Sequence, residues 1–195
     1  MKIDSVKFRS GGLHYAGVRF APESLRPRRP ALLMLHGFPG AEKNTDLARA
    51  LAARGWVCFL PHFRGSWGSS GLYSFSGILK DARIFWRRLQ KDPQVNPGRM
   101  AVLGFSMGGW AALNLAAEQK DVRAVVALAP MAGSSRWFDR RSRDRLAELS
   151  KPIEALPLSE LWQDFKTTLS ARDPLDKISR ISPRPLLLVH GVKDE

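Results

Sequence analysis

The chain has 195 residues, of which 44% are hydrophobic and 25% are charged, and its 31 lysines and arginines against 18 acidic residues give a net charge of +13. This composition fits one globular domain over residues 1–195 that can bury a three-layer core, and it excludes a disordered chain. No apolar run approaches the ~18 residues of a membrane span, and a single cysteine excludes a disulfide framework, so we expect a cytoplasmic protein.

Five continuously apolar segments follow two N-terminal segments that we expect to form an antiparallel hairpin. Strands that helices cover on both faces lose the alternation of apolar and polar residues, so these segments predict buried parallel strands. They lie at residues 31–36, 56–60, 100–105, 124–129 and 185–190. The expected architecture is a three-layer α/β/α sandwich around a mostly parallel sheet.

Helical patterns alternate with these strands. The first covers residues 44–55, with Asn44 as the expected N-cap and Gly55 as the expected C-cap. The second has apolar residues at helical spacing over residues 78–92, and the third starts at Met107. This alternation of strand and helix is typical of an open α/β fold.

One long interruption, at about residues 133–176, separates the last two predicted strands. Insertions at this place lie above the carboxyl ends of the strands, where open α/β sheets bind ligands, so the segment is a candidate lid. It contains five arginines that could attract an acidic group, although a solvated helix face is the favoured interpretation. They are Arg136, Arg140, Arg141, Arg143 and Arg145. The other basic residues are scattered and accompany no nucleic-acid module, so we expect no nucleic-acid partner.

The sequence GFSMGG at residues 104–109 matches the pattern G-x-S-x-G. A buried strand precedes it and a helix follows, which is the context of a tight turn that exposes a nucleophilic serine. Glycine neighbours leave room for such a turn, and we expect positive-φ geometry at Ser106, with its hydroxyl open to a pocket beneath residues 133–176. A glycine-rich turn with an incidental serine is the alternative.

The sequence HGFPG at residues 36–40 follows the first parallel strand. A loop at this place can direct a backbone N–H at a substrate oxygen. Without the serine motif, HGFPG would be interpreted as a Pro-Gly turn. We therefore expect an oxyanion hole that consists of the N–H groups of Phe38 and Met107.

With these motifs the chain resembles the α/β-hydrolases, and among them bacterial esterases and the catalytic domain of prolyl-oligopeptidase-type peptidases. The resemblance begins at about residue 30 and rests on four stretches, which are LLMLHGFPGAEKNTDLARAL, FRGSWGSSG, GFSMGG and DPLDKISRISPRPLLLVHGVKDE. It implies Ser106 as the nucleophile and Asp194 as the acid of a catalytic triad, and it requires no metal or cofactor.

The third member of that triad is not found. The four histidines are at positions 14, 36, 62 and 190, and all precede Asp194, whereas the family places its histidine after the acid. The resemblance thus implies that the histidine, with the last strand and helix of the fold, lies outside this sequence. We expect the resulting open sheet edge to support a homodimer, aggregation or a complementing fragment.

The function implied is a serine hydrolase that cleaves a small carboxylic ester through an acyl-enzyme intermediate. A prolyl-oligopeptidase-type peptidase is one alternative, disfavoured because no propeller precedes the domain. A non-catalytic binding protein is another, favoured by the missing histidine. Aromatic residues that could line a substrate pocket, or simply pack, are Trp67, Tyr73 and Trp137.

Overall fold

A computed structural model of the chain describes residues 1–24 and 26–192, without the side chain of Ser135. Its strands are β1 Lys2–Ser10, β2 Leu13–Ala21, β3 Arg29–Leu35, β4 Val57–Pro61, β5 Val95–Phe105, β6 Ala124–Leu128 and β7 Leu186–Val189. Its α-helices are α1 Thr45–Ala53, α2 Phe75–Gln90, α3 Met107–Glu118, α4 Arg140–Ser150 and α5 Leu158–Ala171. Short 3₁₀ helices cover Ser134–Trp137, Pro174–Asp176 and Ile178–Ile181.

The strands form one mixed sheet in the order β1-β2-β4-β3-β5-β6-β7. β1 and β2 form an antiparallel hairpin, and β2 pairs antiparallel with β4. All pairings among β3 to β7 are parallel. The predicted hairpin and the mostly parallel sheet are therefore confirmed.

Helices cover both faces of this sheet. Leu33 belongs to the larger core, which contains Trp110 of α3 and much of α2. Its neighbour Leu32 belongs to a second core, with Ala48 of α1. Successive side chains of a strand point to opposite faces, so α2 and α3 lie on one face and α1 on the other. This confirms the α/β/α sandwich. Among the described helices none is both long and apolar enough to cross a membrane.

Helix α2 begins three residues earlier than its apolar pattern predicts. Ser74 accepts a hydrogen bond from the N–H of Gly77 at 3.2 Å. The carboxylate of Asp164, on α5, accepts from the N–H groups of Phe75 and Ser76 at 2.6 and 3.2 Å. These acceptors satisfy N–H groups that the first turn of a helix leaves without partners. A cap from a residue so distant in sequence explains the longer helix.

The ends of α1 agree only in part with the expected caps. Asn44 occupies the N-cap position, as predicted. It has φ 52°, however, and its side chain makes no capping hydrogen bond, so the predicted side-chain cap is wrong. Gly55 adopts φ 90°, and its N–H donates to Ala52 O at 3.0 Å. Gly55 thus ends the helix one position after the C-cap residue Arg54.

A buried polar network connects the hairpin to α2 and to the loop after β4. The carboxylate of Asp81 is fully buried and accepts from the Tyr15 hydroxyl at 2.6 Å and from Arg64 Nη2 at 2.7 Å. It also accepts from the backbone N–H of Arg64 at 3.0 Å. Burial, followed by the Asp81 carboxylate, raises the pKa of Tyr15 well above its usual value, so this hydroxyl remains a donor.

We expect Asp81→Ala to lower the free energy of unfolding by about 3–5 kcal/mol, because it leaves the partly buried Arg64 guanidinium without its counter-ion and the buried Tyr15 hydroxyl without its acceptor. Asp144→Ala removes an exposed partner of Arg140, 3.9 Å away, and should cost less than about 0.5 kcal/mol. Urea denaturation of both variants measures the difference. Equal losses would show that the buried network does not stabilise the fold.

Candidate active site

Ser106 stands between the end of β5 and the start of α3. Its backbone has φ 52° and ψ −116°, a strained conformation for a residue with a Cβ, which confirms the expected positive-φ turn. Its N–H donates to Leu128 O at 2.8 Å, and its carbonyl accepts from the N–H groups of Trp110 and Met131 at 3.1 and 3.3 Å. The side chain is half-buried. The turn is thus fixed by β6 and by the chain that follows it.

The motif glycines are required by close backbone packing. A Cβ on Gly104 would overlap the carbonyl oxygen of Gly108, and a Cβ on Gly108 would overlap that of Leu35 at the end of β3. A Cβ on Gly109 would come within 2.9 Å of Pro130. Only glycine lets α3 begin this close to β3 and β5.

The loop after β3 lies against this turn. A Cβ on Gly37 would come within 3.3 Å of Ser106 Cβ. The next residue, Phe38, packs its ring on Tyr73 with centroids 4.8 Å apart. For the N–H groups of Phe38 and Met107, residues 1–24 and 26–192 supply no hydrogen-bond acceptor. Both groups could therefore donate to a bound oxygen.

His36, at the end of β3, is a buried neutral histidine. Its Nδ1 lies 2.7 Å from Gly37 O, and its Nε2 accepts from the N–H of Phe63 at 3.1 Å. A backbone N–H can only donate, so Nε2 carries no proton and Nδ1 carries the one given to Gly37 O. Burial lowers the pKa of His36 to about 3. This histidine therefore has a structural position and is not free to act as a base.

This low pKa predicts a pH dependence of stability. Between about pH 6.5 and 3 the unfolded chain binds a proton at His36 that the folded chain does not bind. Stability should therefore fall on acidification through this window, with a slope of up to about 1.4 kcal/mol per pH unit from this group. Urea titrations of wild type and of His36→Asn at several pH values measure it. Parallel curves for the two proteins would contradict the assignment.

The other histidines lie at different places. His62 follows β4, and its Nδ1 lies 2.8 Å from Trp67 O, while its Nε2 is buried and has no hydrogen-bond partner in the part of the chain that the structure describes. Burial lowers the pKa of His62. His14, on β2, accepts from Arg9, and His190 follows β7. None of His14, His36 and His62 hydrogen-bonds to the Ser106 hydroxyl in the described part of the chain. Asp194 lies outside the described residues.

The aromatic residues singled out from the sequence occupy three different environments. Trp67 is 40% exposed, and its Nε1 donates to Pro39 O at 2.8 Å. Tyr73 is fully buried, and its hydroxyl has no hydrogen-bond partner among the described residues. Trp137 lines a small cleft with Trp110 of α3, and Ser106 does not line this cleft. The expected opening of Ser106 beneath residues 133–176 is thus not seen there.

The two ends of segment 133–176 are joined by Asp173, a residue that the sequence did not suggest. Asp173 accepts from the N–H groups of Ser134 and Leu175 at 2.7 and 3.1 Å. Burial raises the pKa of Asp173, but these hydrogen bonds outweigh it and lower the pKa overall. An aspartate before Pro174 is a usual N-cap signal, but nothing in the neighbouring sequence indicates its contact with Ser134.

The described ranges contain no group of three or more His, Cys, Asp or Glu residues that could hold a metal ion.

Comparison with known proteins agrees with this geometry. Residues 26–180 match the family described as serine aminopeptidase, S33. The uncharacterized peptidase YtmA of Bacillus subtilis is 29% identical over 145 residues, which cover 74% of this chain and 54% of YtmA. YheT of Escherichia coli, whose name proposes an esterase, is 34% identical over 183 residues, covering 85% of this chain and 53% of YheT. The chain thus spans about half the length of these curated relatives.

Solved structures share the fold. The hypothetical protein PA2218 from Pseudomonas aeruginosa superimposes with a TM-score of 0.79 at 21% identity, over 98% of this chain and 78% of that one. The α/β hydrolase GrgF from a Penicillium species gives a TM-score of 0.75 at 23% identity, over 100% of this chain and 81% of GrgF. At these identities the likeness supports the fold alone. The family match, which covers most of the chain, goes further: this chain belongs to the serine aminopeptidase S33 family of α/β-hydrolases.

Proposed function

We propose that the chain carries the nucleophile of a serine hydrolase that cleaves carboxylic esters. Ser106 Oγ attacks the ester carbonyl carbon, the alcohol leaves with a proton, and water then hydrolyses the acyl-Ser106 ester to release the acid. The observation that carries this proposal is the strained, half-exposed turn of Ser106, closely packed on glycines. A protein gains nothing in stability from such strain, which is typical of functional sites.

The other roles follow from the position of Ser106. The N–H groups of Phe38 and Met107 would bind the oxyanion of the tetrahedral intermediate, and the N-terminal end of α3 would favour its negative charge. Asp194 would orient a histidine base that lies outside this sequence. No metal or cofactor takes part in this scheme.

The names of relatives support two candidate substrate classes. The name of YheT proposes an esterase, which favours esters as the first candidate. The family description and the name of YtmA favour peptide bonds, so a peptidase is the second candidate.

Turnover of 4-nitrophenyl acetate, compared with an amino-acid 4-nitroanilide, tests this choice. In a protein that includes the triad histidine, we expect ester cleavage that Ser106→Ala abolishes, with a slower anilide reaction. Faster anilide cleavage would support the peptidase. Absence of both activities and of covalent labelling in a folded sample would support a binding protein and contradict the proposal.

We also propose that segment 133–176 covers the site as a lid and that Trp67 and Trp137 contact the substrate. The segment begins two residues after Met131, whose N–H donates to the Ser106 carbonyl at 3.3 Å. Tyr73 is fully buried and packs on Phe38, so it would support that residue and would not contact the substrate. A cytoplasmic location is part of this proposal, because the sequence has one cysteine, Cys58, and therefore no disulfide within the chain. We propose no nucleic-acid partner.

We propose, finally, that β7 pairs with a second copy of the chain. Within the described residues β7 has one neighbour, β6, and Leu187, Leu188 and Val189 are 55%, 51% and 48% exposed. Open apolar edges of this kind pair with other strands. Sedimentation should show a dimer that Leu188→Lys weakens. A monomer at all concentrations would contradict this, and binding of a complementing fragment in its place would show a different partner.

A further inference from the structure

The peptide between Gly37 and Phe38 is held by the side chain of His36. We propose that His36 is a positioning residue, which orients this peptide so that the Phe38 N–H faces the substrate oxygen. This inference rests on the proposed function, because it assigns the aim of one oxyanion donor to a residue that does not touch the substrate.

The geometry of the peptide bond carries the argument. His36 Nδ1 donates to Gly37 O at 2.7 Å, and this oxygen belongs to the same peptide as the Phe38 N–H. The cis bonds of the described chain do not include this peptide, so it is trans. In a trans peptide the C=O and N–H groups point in opposite directions. Holding the carbonyl toward His36 therefore turns the Phe38 N–H away from His36.

The imidazole ring itself is fixed from the other side. Its Nε2 accepts from the N–H of Phe63 at 3.1 Å, and the N–H of the next residue, Arg64, donates to Asp81 of α2. The ring is thus held between the loop after β4 and the loop after β3. This arrangement also selects the tautomer with the proton on Nδ1, the only neutral form that can donate to Gly37 O.

The rest of the loop leaves the ring little room. Gly40 has φ 98°, and a Cβ there would come within 2.6 Å of His36 Nδ1 and of Trp67 Nε1. Trp67 Nε1 donates to Pro39 O at 2.8 Å, and Lys43 lies 4.4 Å above the same indole ring. The loop is therefore anchored on both sides of the Gly37–Phe38 peptide, and His36 holds the peptide itself.

Two substitutions separate the two hydrogen bonds of His36. The amide nitrogen of His36→Asn occupies the place of Nδ1 and keeps the donor to Gly37 O, but it loses the acceptor for Phe63. His36→Gln reaches the place of Nε2 and keeps the acceptor for Phe63, but it loses the donor to Gly37 O. A positioning role predicts that reactivity follows the first bond, whereas a merely structural role predicts that reactivity follows stability.

The measurements are the rate at which a fluorophosphonate modifies Ser106, the melting temperature, and the orientation of the Gly37–Phe38 peptide in crystal structures of both variants. We expect His36→Asn to be the less stable variant. Its Gly37–Phe38 peptide should keep the wild-type orientation, and its labelling rate should stay within about 3-fold of wild type. His36→Gln should keep more stability, turn the peptide, and label at least about 10-fold more slowly, up to the roughly 10²–10³-fold cost of losing an oxyanion donor.

Equal labelling rates with a native peptide in both variants would overturn the positioning role, as would slower labelling by the Asn variant. Failure of the wild-type protein to label would contradict the proposed function instead. In that case the peptide orientation still decides the role of His36. A Gly37–Phe38 peptide that changes orientation in His36→Gln but not in His36→Asn supports the positioning role, and any other pattern overturns it.

Discussion

In a protein that includes the triad histidine, replacing Ser106 by alanine is expected to lower ester turnover by about 10³-fold or more, because the nucleophile is lost while the backbone N–H groups around it stay in place. The free energy of unfolding should change by less than about 0.5 kcal/mol, because no hydrogen bond of the Ser106 hydroxyl is seen within the described residues. Turnover and urea denaturation measured on the same preparation check both parts.

A glycine at the same position is the matched control. Ser106→Gly also removes the hydroxyl, but glycine adopts φ 52° without strain. The glycine variant should therefore be equally inactive and about 1 kcal/mol more stable than the alanine variant. An alanine variant that keeps its activity would place the nucleophile at another residue.

Replacing Gly108 by alanine should have a large effect on the fold, a loss of about 3 kcal/mol or more in the free energy of unfolding. The new Cβ would overlap Leu35 O and lie within 2.5 Å of His36 O, and both are backbone atoms of the central strand and the loop beside Ser106. Backbone cannot move aside as a flexible side chain does, so α3 or β3 must shift. Labelling of Ser106 should fall with stability.

Gly98→Ala provides the comparison for this prediction. Gly98 is exposed, and a Cβ there would meet only Asn96 Oδ1, at 3.3 Å. We expect this variant to differ from wild type by less than about 1 kcal/mol in the free energy of unfolding. Similar losses for the two variants would show that the close approach of α3 to β3 is not required.

The turn at Ser106 was predictable because its signals are local. Gly104, Ser106 and Gly108 follow an apolar strand and precede a helix, and each glycine proves to face backbone that excludes a side chain. The parallel strands were equally predictable, because continuous apolar runs over four to six residues are typical of strands buried on both faces.

Features that depend on distant residues could not be read from the sequence. The start of α2 is set by Asp164, 89 residues from Phe75. The orientation of His36 depends on Phe63, 27 residues away. The strand β5 begins at Val95, before its apolar part, because Val95 pairs with Arg29 on β3. Such pairings cannot be inferred from periodicity, since they join chemically ordinary residues that only the fold brings together.

The asparagine before α1 shows how a local signal fails. Asn44 has the usual chemistry of an N-cap, but its left-handed backbone directs the side chain away from the first turn. Glu42 instead accepts a hydrogen bond from the Asn44 N–H at 2.5 Å.

The most direct test of the central claim is to identify the residue that a fluorophosphonate modifies in the folded 195-residue chain. Peptide mapping by mass spectrometry of the labelled protein gives that residue. We expect a single adduct, on Ser106, that forms before any other serine reacts and does not form when the protein is first unfolded in urea. An adduct on a different residue, or none on a protein that melts cooperatively, would contradict it.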